Sequence, residues 1–325
     1  MLYSEAKKQG AAVLKAAGIE DAEVDAEYLL LKAAGLNRSS LYMKLSDSMA
    51  EEAENEYSEL INRRKEHEPL QYILGDQDFM GYIFKVTPDV LIPRFDTEIL
   101  AEQAVKRAKA ALKNEIGKVG ENAAIRYLDL CTGSGCVAVS VGLEIAKNAC
   151  RIKAAGPEMH KADSGNSSCA PLNVSVIGAD ISVAAVRLAE KNCEHNIELA
   201  DIDERSCTIK AEFIESDLFL SIEGKFDMIT ANPPYIVRDE ICTLMPEITE
   251  HEPHLALDGG ADGMDFYRKI CKEAPKYLVP GGRLLMEFDD AQAEPVKKMM
   301  EEAGFKDVEI HKDWAGLRRV IEGTI

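Results

Sequence analysis

The sequence lacks a run of about 18 apolar residues, which is the length that a membrane-spanning helix needs. Its first eight residues, which include Lys7 and Lys8, also lack the apolar core of a secretory signal peptide. Together these two absences predict a protein that stays in the cytoplasm and has no membrane partner.

The sequence also lacks a CxxC pair, the spacing that is typical of zinc sites and thiol redox sites. In a cytoplasmic chain, cysteines are expected to remain reduced, and most of them to be buried. The eight cysteines are Cys131, Cys136, Cys150, Cys169, Cys193, Cys207, Cys242 and Cys271.

Acidic residues outnumber basic residues. The 325 residues include 38 Lys and Arg against 57 Asp and Glu, which gives a formal net charge of −19. Such a surface repels phosphate backbones, so direct nucleic-acid binding is disfavoured unless a local basic patch exists. The length is sufficient for two domains of ordinary size.

Residues 1–68 carry helical periodicity and predict a small N-terminal helical domain. The first helix places Val13, Leu14 and Ala17 on one face, and Gly18 ends it. Two further helices are predicted at 21–34, ended by Gly35, and around Tyr57, Leu60 and Ile61. The basic run Arg63, Arg64 and Lys65 is interpreted as a solvated helix face, with contact to an acidic partner as the alternative.

Residues 69–93 form a predicted connector. Prolines and glycines at 69, 75, 81, 88 and 93 disfavour a helix there. Between them, Phe79, Tyr82, Phe84 and Val86 predict a short β-hairpin.

Residues 94–325 alternate between helical and strand patterns, which predicts an α/β fold with a mostly parallel sheet. Helices are expected at 97–112 and 182–196, and apolar strands at 125–130, 174–179, 212–216, 226–231 and 284–288. Two last strands, 308–311 and 319–322, are too close for a helix between them and predict an antiparallel pair at the sheet edge. Trp314, between them, is expected to pack nearby.

Residues 147–173 interrupt this alternation. They contain a run of small and polar residues at 161–168. The composition predicts a mobile surface loop inserted after the first helix of the sheet domain.

A glycine-containing loop follows the first apolar strand of this domain and leads into a helix. Glycines there allow a sharp turn and a close approach to a ligand. A nucleotide-type cofactor is therefore expected, with a dinucleotide, S-adenosylmethionine and a purely structural turn all open. The loop residues are Asp129, Leu130, Cys131, Thr132, Gly133, Ser134 and Gly135.

Two carboxylates follow the next two strands. Asp180 is expected to bind both ribose hydroxyls of a nucleoside, or alternatively to cap the helix that begins near Ser182. Asp217 is a candidate acceptor for an adenine amino group, with Leu218 packing on the ring. An ordinary Asx turn explains Asp217 equally well.

The sequence Asn232, Pro233, Pro234 and Tyr235 follows the strand at 226–231. Two prolines fix the backbone and remove two N–H donors, so the Pro233 carbonyl is free to accept a hydrogen bond from a ligand. With the Asn232 side-chain oxygen, it provides two acceptors for one NH2 group. Tyr235 offers a flat face for stacking. These four residues are therefore the candidate catalytic residues of an amino-methyltransferase, and Asn232 is also a candidate cofactor-binding residue.

With these motifs, nearly the whole chain resembles the HemK/PrmC family, the release factor glutamine methyltransferases. The resemblance rests on residues 68–75, 79–86, 91–98, 129–135, 232–235, 252–253, 256–257 and 259–263. It implies a Rossmann-like class I methyltransferase sheet and S-adenosylmethionine as cofactor. It further implies the glutamine of the Gly-Gly-Gln motif of class I release factors as acceptor, and docking of that factor by residues 1–68.

The sequence departs from the family pattern at four places. Cys131 stands where Gly is usual and Phe95 where Pro is common. Arg318 and Arg319 replace a more usual Asp-Arg pair, and the insertion at 147–173 is longer than typical. The Cys131 side chain is expected to point away from the cofactor.

Three alternatives remain at this point. A DNA adenine methyltransferase uses the same tetrapeptide on a flipped base, but needs a basic cleft. A non-catalytic cofactor-binding module that docks a translation factor is the second. His251 and His254, at a metal-like spacing, suggest a metal site, although a third ligand is not evident and no metal is expected.

Overall fold

The structure is a computed structural model that describes residues 1–115, 124–154, 171–203 and 206–325. These residues form two compact units. The first comprises Met1–Asp76, Val86–Pro88 and Thr243–Glu252, and the second Gln77–Lys85, Asp89–Cys242 and Pro253–Ile325. The functional division at residues 68 and 93 stays a prediction.

The described helices are α1 (Tyr3–Ala16), α2 (Ala22–Ala34), α3 (Arg38–Met43), α4 (Glu51–Lys65), α5 (Leu70–Leu74), α6 (Glu98–Glu115), α7 (Cys136–Ala154), α8 (Val183–Leu199), α9 (Pro246–His251), α10 (Asp265–Glu273) and α11 (Ala293–Glu302). The described strands are β1 (Asp76–Phe79), β2 (Tyr82–Lys85), β3 (Ala124–Leu130), β4 (Leu172–Asp180), β5 (Cys207–Glu215), β6 (Phe226–Ala231), β7 (Leu278–Glu287), β8 (Lys306–Lys312) and β9 (Arg318–Thr324). Among these helices, none combines the length and apolar character that crossing a membrane requires.

The first unit is helical, as predicted. Leu14, Leu29 and Leu30 are completely buried in its core, and Gly35 ends α2 with φ of 61°. Val13 is 40% exposed, so the prediction that it shares a buried face with Leu14 is wrong. Consecutive helical residues point about 100° apart, so Leu14 lies in the core while Val13 faces solvent.

The connector contains a helix that the sequence analysis did not predict. Pro69 precedes α5 and Gly75 ends it in the left-handed region, with φ of 86°. Proline is tolerated at the start of a helix because its missing N–H is not needed in the first turn. The predicted hairpin follows as β1 and β2, so that part of the prediction is confirmed.

Arg64 of α4 is buried, and the interpretation of its basic run as a solvated face is therefore wrong for this residue. Its Nε atom donates to Asp25 Oδ2 at 2.6 Å, and its Nη2 atom donates to Glu247. Glu247 lies on α9, which comes from the distant segment Thr243–Glu252. A buried arginine thus pairs with a carboxylate from each of two other helices of the first unit.

The second unit is built on a seven-stranded sheet with the order β5-β4-β3-β6-β7-β9-β8. The pairs between β5 and β7 in this order are parallel, and β9 pairs antiparallel with both β7 and β8. Helices α6, α7 and α8 contribute to one apolar cluster and α10 and α11 to the other, and successive residues of β3 alternate between them. The predicted Rossmann-like α/β fold with an antiparallel edge pair is confirmed.

Trp314 lies in the turn between β8 and β9 and is 94% exposed. The prediction that it packs near the edge strands is wrong. Asp313 accepts from the Leu317 backbone N–H at 2.9 Å, which closes a tight turn. The Trp314 side chain in this turn is therefore exposed to solvent.

The predicted insertion at 147–173 is shorter than expected on both sides. Helix α7 continues to Ala154 and β4 begins at Leu172, so these flanks are not loop. The polar run at 161–168 lies outside the described residues. The prediction of a mobile loop therefore stays untested for that run.

Candidate active site

The predicted site residues all lie at or just after the carboxyl ends of the parallel strands. Strand β3 has β4 on one side and β6 on the other, which makes it the point where the strand order changes direction. Leu130 is in register with both Ala179 and Ala231, so the residues after these three strands lie side by side. Ligands of open parallel sheets bind beyond the carboxyl ends of the strands at such a point.

The loop after β3 turns through left-handed backbone at three residues. Cys131, Gly133 and Gly135 have φ values of 56°, 54° and 80°. A non-glycine residue in this region costs on the order of 1 kcal/mol or more, which explains why glycine is usual at position 131. The Cys131 side chain packs against the apolar cluster that contains Leu128 and Leu130.

The Asp129 side chain holds this loop through hydrogen bonds. It is 2% exposed, and its two oxygens accept from the hydroxyls of Thr132 at 2.7 Å and Thr230 at 2.6 Å. Burial raises the pKa of Asp129 to about 7, while these hydrogen bonds act in the opposite direction. Asp129 thus fixes the loop through its own side-chain contacts.

The far side of the loop is held by helix α8. The Asn192 Nδ2 atom donates to the Ser134 carbonyl at 2.8 Å. A Cβ atom on Gly135 would lie 3.0 Å from the Ala189 Cβ, so a larger residue there would displace α8. The Ser134 hydroxyl is buried and has no hydrogen-bond partner among the described residues.

Asp180 is the last residue of β4 and reaches the same loop. Its Oδ2 atom accepts from the Gly133 N–H and its Oδ1 atom from the Ser182 N–H, each at 2.9 Å. Helix α8 is capped by the Ser182 hydroxyl, which accepts from the Ala185 N–H at 3.3 Å. Each carboxylate oxygen has a second lone pair, so Asp180 keeps acceptor capacity for a ligand.

Asp217 and Leu218 follow β5 in a tight turn. Asp217 is exposed. Leu218, with φ of 51°, is buried in the apolar cluster that contains Leu128 and Leu130. The Ser216 hydroxyl donates to the Leu218 carbonyl at 2.8 Å and accepts from the Ser221 N–H at 3.0 Å. The turn is therefore defined by Ser216, and the Asp217 carboxylate is not used by it.

These carboxylates make the loop region electrostatically negative. The pKa of the Cys131 thiol is raised well above its usual value, first by burial and then by Asp180, Asp129 and Asp217. The same field favours a ligand that carries positive charge.

Asn232 follows β6, and its Nδ2 atom donates to Thr97 Oγ1 at 3.1 Å. Pro233 and Pro234 are buried, and Tyr235 is partly buried. Burial raises the pKa of the Tyr235 hydroxyl, so this group stays protonated at neutral pH. The four residues thus form a rigid segment at the end of β6, next to the loop after β3.

A second glycine-rich segment, 259–263, supports the backbone of Tyr235. A Cβ atom on Gly259 would lie 2.7 Å from the Tyr235 Cα, and one on Gly263 would lie 2.5 Å from the Tyr235 carbonyl oxygen. That oxygen accepts from Gln292 Nε2 at 2.8 Å. The glycines are needed because the two backbones are in direct contact.

Two further residues lie close to Asn232 and were not predicted from the sequence. Thr97 is 3% exposed and precedes α6, and Glu287 is 3% exposed and ends β7. Burial raises the pKa of Glu287 to about 7, and a hydrogen bond from Thr97 opposes this. A lone carboxylate in the apolar strand predicted at 284–288 was the available signal.

Arg318, which departs from the family pattern, and its neighbour Arg319 are both paired. Arg318 Nε donates to Asp290 Oδ1 at 3.0 Å. Arg319 lies 3.3 Å from Asp96 and 2.9 Å from Asp313. Arg319 therefore connects the segment before α6 to the turn that contains Trp314.

The spacing of His251 and His254 does not produce a group of metal ligands in the described part of the chain. His251 lies on α9, with its Nε2 atom 3.3 Å from the Glu66 carbonyl. The acidic group of Glu309, His311 and Glu322 has ligand geometry, but Arg107 and Arg283 are paired with Glu322. This group is an ion-pair network at the sheet edge.

Comparison with known proteins bears on this arrangement. The family model of the PrmC N-terminal domain matches residues 5–75. A release factor glutamine methyltransferase of Geobacter sulfurreducens is 37% identical over 309 residues, which cover 95% of this chain and 91% of that protein. The chain belongs to the release factor glutamine methyltransferase family.

A second relative agrees with this membership. A release factor glutamine methyltransferase of Thermodesulfovibrio yellowstonii is 37% identical over 91% of this chain and 90% of that protein. Among solved structures, the ribosomal protein L11 methylase of Lactobacillus delbrueckii subsp. bulgaricus is 17% identical, with a TM-score of 0.41 over 76% of this chain and 88% of that chain.

Proposed function

We propose that this chain transfers a methyl group from S-adenosylmethionine to the side-chain amide nitrogen of the glutamine in the Gly-Gly-Gln motif of class I release factors. The observation that carries this proposal is the rigid segment Asn232–Tyr235, fixed beside the loop after β3 in a member of this family. In the reaction the sulfur–methyl bond breaks, a nitrogen–methyl bond forms, and one amide proton leaves to water.

The residues after β3, β4 and β5 suit S-adenosylmethionine. Asp180 retains lone pairs for the ribose hydroxyls, and Asp217 has an exposed carboxylate for the adenine amino group. The negative field around Cys131 complements a sulfonium cation. When bound, the cofactor supplies an electrophilic methyl group.

The acceptor side is assigned to Asn232, Pro233 and Tyr235. The Asn232 Oδ1 atom and the Pro233 carbonyl would accept the two N–H groups of the glutamine amide. An amide nitrogen is a poor nucleophile because its lone pair is delocalised. Acceptors that bind its hydrogens more strongly as positive charge develops on nitrogen favour the transition state. Tyr235 offers the planar amide a face for stacking.

Mass spectrometry of a purified class I release factor after incubation with the enzyme and S-adenosylmethionine tests this function. We expect a 14 Da increase, the mass of one added CH2, on the Gly-Gly-Gln peptide. Methylation of duplex DNA without modification of the factor would support the adenine methyltransferase instead. Cofactor binding without turnover on either substrate would support a non-catalytic module.

Replacing Asp180 with alanine is expected to weaken S-adenosylmethionine binding by about 1.5–3 kcal/mol, the scale of hydrogen bonds to a charged group. Calorimetric titration of the cofactor measures this directly. Asp227→Ala is a matched control, because Asp227 is exposed near the start of β6, at the amino ends of the parallel strands. Equal affinity in wild type and Asp180→Ala would remove Asp180 from the cofactor site.

A further inference from the structure

The orientation of the Asn232 amide group depends on Thr97. The Asn232 Nδ2 atom donates to Thr97 Oγ1 at 3.1 Å, across 135 residues of sequence. An amide has an oxygen that accepts and a nitrogen that donates, so rotating it by half a turn exchanges the two. Because Nδ2 is engaged by Thr97, Oδ1 remains for a substrate N–H.

Thr97 can hold the amide in this orientation only if its own proton goes elsewhere. A threonine hydroxyl has one hydrogen and two lone pairs. If the hydrogen pointed at Asn232, the amide would present its oxygen to Thr97 and its NH2 group to the substrate. The direction of the hydroxyl therefore decides which atom of Asn232 faces the acceptor site.

Glu287 is the candidate acceptor for this hydrogen bond. It is 3% exposed, and burial raises the pKa of its carboxyl while hydrogen bonds from the Thr97 and Tyr235 hydroxyls lower it. Its Oε2 atom is buried and has no hydrogen-bond partner among the described residues. An unsatisfied buried carboxylate oxygen is costly, and such groups occur where function requires them.

We propose that Thr97 and Glu287 are positioning residues: the Thr97 hydroxyl donates a hydrogen bond to the Glu287 carboxylate, so the Thr97 oxygen accepts from Asn232 and the Asn232 Oδ1 atom faces the acceptor amide. This inference rests on the proposed function for the identity of that amide. Neither residue needs to touch the reacting atoms.

This pair of hydrogen bonds, from Asn232 to Thr97 and from Thr97 to Glu287, requires the ionised form of Glu287. Burial raises the pKa of this carboxyl to about 7, so the ionised fraction grows as the pH rises through 7. Below that pH, the protonated carboxyl can donate to Thr97 and compete with the Asn232 NH2 group. Asp96 and Arg319 act on the pKa of Glu287 through their charges, and Tyr235 acts on it through a hydrogen bond. In addition to burial, Glu287 in turn raises the pKa values of Tyr235, Tyr267 and Cys136.

Thr97→Val removes the hydroxyl at nearly constant volume. We expect kcat on the release factor to fall roughly tenfold, the scale of one hydrogen bond, with little change in cofactor affinity. Thr97→Ser should restore most of the activity. Thr208→Val is a matched control, because it removes a 2.6 Å hydrogen bond from the Thr208 hydroxyl to Asn173 Oδ1 near the starts of β5 and β4. Wild-type kcat in Thr97→Val would overturn the proposal.

The pH dependence of kcat/KM tests Glu287. A single ionisation near 7 predicts a roughly tenfold rise between pH 6 and pH 8. In Glu287→Gln we expect this ratio to fall several-fold, and an unchanged ratio would overturn the assignment. A wild-type enzyme that does not methylate the factor would instead contradict the proposed function. In that case a neutron-diffraction structure of Thr97→Val decides, because neutrons distinguish the amide NH2 group from the amide oxygen. A rotated Asn232 amide supports the proposed orientation, and an unmoved one rejects it.

Discussion

Replacing Asn232 with alanine is expected to lower kcat by roughly 10²- to 10³-fold, as for the loss of one group that stabilises charge in a transition state. The substitution would remove the acceptor that we propose for one N–H of the substrate amide, an interaction that would strengthen as the nitrogen gains charge. Because the cofactor is assigned to Asp180 and the loop after β3, its affinity should change much less. Single-turnover methyl transfer and calorimetry measure the two quantities separately.

Asn173→Ala is the matched control for this prediction. Asn173 accepts from Thr208 near the start of β4, and its loss tests whether removal of any asparagine from the sheet lowers activity. A variant in which kcat is retained and the cofactor dissociation constant rises would show that Asn232 serves the cofactor. The assigned role would then be wrong.

The intact release factor is expected to be a better substrate than a short Gly-Gly-Gln peptide by about 10³-fold in kcat/KM, because binding energy remote from the reacting group lowers the barrier. A single amide in a narrow site contributes little binding energy. The helical unit, including residues 1–68, is the surface that we propose for the remaining contacts. Steady-state methylation of the two substrates under the same conditions gives the ratio.

A release factor in which the glutamine is replaced by alanine provides the control for docking. It should inhibit methylation of the wild-type factor competitively, with an inhibition constant close to the KM of that factor. Equal kcat/KM values for the factor and the peptide would contradict a docking role for the helical unit.

Much of the sheet could be predicted because its central strands are short apolar runs followed by polar residues. β6 was predicted with its observed bounds, and the motif at Asn232 follows it directly. β5 and β7 begin earlier than predicted, since Lys210 and Gly281 interrupt their apolar patterns. In a parallel sheet, residues after successive strands share one edge, so sequence order alone grouped the candidate residues.

Other parts of the site depend on contacts between distant segments. Nothing near Thr97 in the sequence indicates that it contacts Asn232. The buried Glu287 and the close contact of Gly263 with Tyr235 also arise from packing of separate elements. Trp314 was predicted to pack near the edge strands because it is a large aromatic residue. Its place in the turn between β8 and β9 leaves it exposed instead.

Arg64 and α9 have a consequence for how this protein can be divided. The family model of the N-terminal domain matches residues 5–75, but the compact unit also contains Thr243–Glu252. Arg64 pairs with Glu247 of that segment as well as with Asp25. A cut after residue 75 would separate Arg64 from Glu247, and α9 from the other helices of the unit. In a chimaera, the two segments should therefore be exchanged together, since the helical unit is encoded in separate stretches of the gene.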